Sequence, residues 1–87
     1  MDLFRAIKPV IDEWDPYDLM PVCPEDEYDI ETKAIADALD GKDVSAFEIA
    51  AVVSRVFGES FAKEDFPIYG CISVANKIWD AIHSLPQ

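Results

Sequence analysis

The sequence predicts an all-α fold, a small open bundle of about four helices forming a single domain over residues 1–87. Three observations predict it. Apolar residues recur at three- and four-residue intervals in four separate stretches. A complete helix-start signal stands at Ser45. Only one short run could pass for a strand, and an isolated strand leaves its backbone groups without partners. About half the residues are apolar, and 87 residues give room for one core.

The first helix is predicted over residues 2–14, where Leu3, Ile7, Val10, Ile11 and Trp14 share a face and Asp2 serves as N-cap. Pro9 removes one backbone hydrogen bond and bends or shortens it. Pro16 restricts Asp15 to extended geometry and ends the helix near Trp14. Pro16, Pro21 and Pro24 then stiffen an irregular connection. The second helix is predicted over about 26–40, with Tyr28, Ala34, Ile35, Ala38 and Leu39 inward and Gly41 at the left-handed closing position. The third, over 46–57, starts at the capping box Ser45-x-x-Glu48, with Val44 and Ile49 as a hydrophobic staple, and Gly58 stops it. For the fourth, Ile68, Cys71, Ile72, Ala75, Ile78, Trp79 and Ile82 hold helical spacing over about 67–84. Length thus overrules the strand-like run at its start. Phe61, Phe66 and Tyr69, between the third and fourth helices, exceed what one small core is expected to hold.

The charge is uneven. Residues 12–31 hold nine acidic side chains and no basic ones, while the other 67 residues carry nine acidic against seven basic, so most of the net charge of −11 belongs to one segment. Such a balance argues against direct nucleic-acid binding, which draws on Lys and Arg. The longest apolar run is far short of a membrane span, and Met1-Asp2-Leu3 does not begin a secretory leader. These features predict a complete, soluble, cytoplasmic protein. Cys23 and Cys71 stand alone, with one histidine in the chain, so neither a zinc site nor a disulfide framework is expected. Both are read as free buried thiols.

No cofactor, metal site or catalytic residue is predicted. EF-hand spacing fails: Asp12, Asp15 and Asp18 are three apart, and no glycine precedes residue 41. Asp80-x-x-His83 is one pair, not a di-iron motif, and a histidine in a last helical turn answers the helix dipole. Neither cysteine has an orienting partner, and Ser45 is spent as a cap. Glu25, Asp26, Glu27 and Asp29 suit a helix start, and Asp15 suits a turn before Pro16. Trp14, Pro16 and Tyr28 are read as structural anchors, together with Ser45 and Glu48. Asp12 and Glu13 sit where negative charge is disfavoured, near a helix C-terminus, and Asp18 has no local reason to be acidic. The eight carboxylates Asp12, Glu13, Asp15, Asp18, Glu25, Asp26, Glu27 and Asp29 are therefore the expected docking surface for a basic protein partner. The expected function is a non-catalytic interaction domain, with an immunity or inhibitor protein as one form of it. Two alternatives stand beside it: a structural or regulatory domain that homodimerises through apolar surface, and a carboxylate metal site in the 12–31 turn.

Trp14-Asp15-Pro16, followed by Glu25-Asp26-Glu27-Tyr28-Asp29 and Ile35, resembles the signature of the YugE-like family of small bacterial all-helical proteins. The resemblance runs from about residue 3 to residue 57, with a fainter echo at Val74-Ala75-Asn76-Lys77-Ile78. It departs from the family pattern at Tyr17-Asp18 and over Glu59–Asp65. The resemblance implies an open helical fold and a bacterial source, and no activity.

Overall fold

The computed structural model describes residues 3–16 and 28–84. Four α-helices carry it: α1 Leu3–Trp14, α2 Asp29–Leu39, α3 Ala46–Ser60 and α4 Ile72–His83, with 3₁₀ turns at Lys63–Asp65 and Ile68–Cys71. No strand occurs among the described residues. Each helix packs on its two neighbours in the order α1–α2–α3–α4–α1, and the backbones of the diagonal pairs, α1 with α3 and α2 with α4, make no close approach. The core fills the centre of this ring. Ile7 and Ile11 come from α1, Ile35 and Leu39 from α2, Ile49, Val53 and Phe57 from α3, and Val74, Ala75 and Ile78 from α4.

The local signals explain most boundaries. Ser45 Oγ accepts from Glu48 N–H, and Glu48 Oε1 accepts from Ser45 N–H, so the capping box closes as the spacing requires. Gly41 takes φ +73°, the left-handed conformation that only glycine enters without penalty. Pro9 stands inside α1. The expected N-cap, Asp2, lies outside the described residues.

Several expectations need correction. α2 begins at Asp29, not near residue 26, and its inner stripe is Tyr28, Glu31, Thr32, Ile35, Ala36 and Leu39. Ala34 is exposed and Ala38 only half-buried, because the large side chains of Tyr28, Ile35 and Leu39 set the face and alanines contribute too little area to turn it. α3 continues past Gly58 to Ser60. Gly58 lies inside the helix, and an added Cβ there would stand 3.4 Å from Lys63 Cα, an ordinary van der Waals contact. The fourth helix is divided, its first turn wound as 3₁₀. Asp15 is not extended: its φ is +40°, and its N–H continues the helical pattern to Ile11 C=O at 2.9 Å. Aspartate is among the few side-chain-bearing residues that enter this region. Of the three aromatics expected to exceed the core, Phe66 is buried, while Phe61, stacked on Phe57, and Tyr69 both remain exposed, as expected.

Cys71 is a free thiol, fully buried, and desolvation raises its pKa, which keeps it protonated and unreactive. Cys23 lies outside the described residues. No helix among them is long and apolar enough to cross a membrane.

Candidate functional site: the acidic corner of α1 and α2

Phe4, Lys8 and Asp12 follow one another at four-residue steps along the edge of α1 that meets α2. Asp29 opens α2 opposite them. The Lys8 ammonium sits between the two carboxylates, donating to Asp29 Oδ1 at 2.6 Å and pairing with Asp12 Oδ2 at 3.1 Å. The hydrogen bond to Asp29 is the main reason the Lys8 pKa is raised; burial, next in size, opposes it, and Asp12 adds to the rise. Asp12 Oδ1 has no access to solvent and no hydrogen-bond partner.

One turn further along, Tyr28 OH donates to Asp15 Oδ1 at 2.6 Å. This bond ties the end of α1 to the start of α2 across the proline-rich segment. The Tyr28 ring is fully buried and tilts against Phe57 at 6.0 Å. Trp14 meets Phe57 and Phe66 edge-on at 5.1 and 5.9 Å. Both flanks of the acidic segment are thus pinned by aromatic packing, as the anchor reading of Trp14 and Tyr28 expects.

The eight expected docking carboxylates therefore divide. Asp12 and Asp29 share one lysine, Asp15 holds Tyr28, and Glu13 is exposed to solvent. Asp18, Glu25, Asp26 and Glu27 lie outside the described residues. For the first three, an internal role exists that the charge count did not foresee. Lys8–Asp12 was visible as an i,i+4 pair. The Asp29 contact joins residues 21 apart, and no local signal announces it.

Beside the clamp, an open groove of about 480 Å³ runs between α1 and α2. Phe4, Ile30 and Ala34 line it together with Asp29, Lys33 and Asp37. Ile30 is 80 % exposed and, with Phe4 and Ala34, makes the lining of this groove mostly apolar. Among the described residues no group of three or more metal-binding side chains converges. A cation entering between Asp12 and Asp29 would have to displace the Lys8 ammonium. A second hollow, of about 410 Å³, lies at the other end of the bundle, between Leu3, the 39–44 loop, Ile49, Ile82 and His83. The His83 ring there stacks on Trp79 at 3.7 Å, with Nδ1 2.8 Å from Trp79 C=O.

A family model described as a domain of unknown function, DUF1871, matches residues 6–83. No curated protein and no solved structure matches the chain.

Proposed function

Since the chain belongs to the DUF1871 family, whose function is unknown, we propose that it is a non-catalytic interaction domain docking a basic partner protein at the α1–α2 corner. The observation that carries this reading is the exposed Ile30 in an apolar groove beside the Lys8–Asp12–Asp29 clamp, in a sequence whose residues 12–31 hold nine acids and no bases. A basic amphipathic helix fits such a surface: apolar side chains at helical spacing seat on Phe4, Ile30 and Ala34, while its cationic flank meets Glu13 and Asp37. Electrostatic steering then speeds encounter and makes it salt-dependent, and the groove supplies the contact that persists. Asp12, Asp15 and Asp29 contribute field rather than direct contacts, because they are held by Lys8 and Tyr28. The narrower features of the proposal are a cytoplasmic setting, a bacterial source of the YugE-like kind, and an inhibitor or immunity role.

The test is capture from native lysate by the immobilised chain at low and high salt, with Ile30→Lys and Glu13→Lys variants in parallel. A partner retained at low salt by the unmodified chain, released at high salt and lost with Ile30→Lys supports the reading. Retention of nothing specific at low salt, or equal retention by Ile30→Lys, defeats it.

A further inference from the structure

We propose that the hollow between the 39–44 loop, α1 and the end of α4 is a binding site for a small organic ammonium ion, an amine carried on a short aliphatic body. Its volume of about 410 Å³ falls in the usual range for small-molecule sites. Leu39 and Ile49, which line it, are core residues, and Leu3, Val44 and Ile82 beside them are half-buried. The charged residues of the lining, Asp40, Lys42 and Asp43, are all exposed, and so is His83. The hollow is therefore apolar in its depth and polar at its mouth, which suits a ligand with an apolar body and a polar head.

The head is a cation. Asp40 and Asp43 make no ion pair among the described residues, so neither carboxylate is already held as Asp12 and Asp29 are. Lys42 offsets one of them, which leaves the mouth net negative within a chain of charge −11. His83 adds an acceptor. Its Nδ1 lies 2.8 Å from Trp79 C=O, and a carbonyl only accepts, so Nδ1 carries the proton and Nε2 of the neutral ring keeps a free lone pair. Stacking on Trp79 at 3.7 Å fixes the imidazole plane before a ligand arrives, so little freedom is lost on binding. Two carboxylates and an imidazole nitrogen can accept from the N–H groups of an ammonium, whereas an anionic ligand meets repulsion from the same carboxylates. The lining shares no residue with the α1–α2 groove, so this site is independent of partner docking there.

The experiment is proton NMR titration of the whole chain with hexylamine, hexanol and hexanoate at one neutral pH. His83 is the only histidine in the chain, so its ring resonances report this hollow directly. Hexylamine should shift them saturably and bind about threefold or more tighter than hexanol, the gain expected of exposed ion pairs, with hexanoate weakest. Asp40→Asn combined with Asp43→Asn should bring hexylamine down to the affinity of hexanol. Both positions are exposed, so the fold is expected to survive the exchange. Equal binding of amine and alcohol, a preference for hexanoate, no saturable shift with any of the three, or an amine preference that survives the double exchange overturns the proposal.

Discussion

Replacing Lys8 by methionine keeps much of the side-chain volume and removes the ammonium between Asp12 and Asp29. Nζ lies 2.6 Å from Asp29 Oδ1 and 3.1 Å from Asp12 Oδ2, and all three side chains are partly shielded, with 29 %, 32 % and 21 % of their surface exposed. The loss has two parts. Hydrogen bonds to charged groups contribute about 1.5–3 kcal/mol where shielded, and less where water competes. The two carboxylates, their oxygens then within roughly 6 Å, repel each other by about 0.7–3 kcal/mol across the range from water-like to protein-like screening. A net destabilisation of about 2–4 kcal/mol is expected, a large share of the roughly 5–15 kcal/mol that holds a small domain together. The assay is urea unfolding followed by circular dichroism, comparing the unmodified chain, Lys8→Met, and Lys8→Met with Asp12→Asn. The double variant should recover about half the loss, because only one anion remains and the amide is no longer charged. A Lys8→Met loss below about 0.5 kcal/mol would place the pair among ordinary surface ion pairs. No recovery in the double variant would show that mutual repulsion plays no part.

Other expectations follow from single contacts. Tyr28→Phe removes the bond to Asp15 without disturbing ring packing, and should destabilise by about 1–2 kcal/mol in the same assay. Gly41→Ala places a Cβ in open space but at φ +73°, so the backbone alone should cost about 1 kcal/mol; a neutral result would mean that the turn changes its conformation. Ser45→Ala opens the capping box and should cost about 1 kcal/mol, seen as a lowered unfolding midpoint. Stability should also fall in alkali. Lys8 is raised above its ordinary 10.5 and Cys71 above its ordinary 9.0, so in both cases the folded chain keeps a proton that the unfolded chain has released. The decline should begin near pH 9 and steepen beyond 10.5, and a flat urea midpoint across that window would contradict it.

The features legible in the sequence are those whose cause is local. Ser45 and Glu48 are three residues apart and satisfy each other wherever the chain goes. Gly41 follows an apolar stripe and has one economical use. The four helices are visible because their apolar spacing repeats for several turns. The errors arise where two physical causes share one residue type. Gly58 could end a helix or lie within one, and only the packing of α3 distinguishes these. Ala34 and Ala38 fit the α2 stripe as well as Thr32 and Ala36 by spacing alone, and the choice depends on how Tyr28 and Leu39 seat among other helices. At Asp15 the preference imposed by Pro16 yields to the bond with Tyr28 and to the reversal of the chain. The Lys8–Asp29 contact is purely tertiary, whereas Lys8–Asp12 is an i,i+4 pair that spacing alone allows.

Leu3 at the start of α1 and His83 at the end of α4 line the same hollow. Because the first and last described helices bring these two residues together, the ends of the bundle are close enough to be joined. A short linker joining them, with a new opening at the exposed Gly41–Lys42 turn, would yield a circular permutant beginning at α3. In that permutant the proline-rich stretch is flanked as before, so the acidic corner could be moved to a different place in the gene without moving in space.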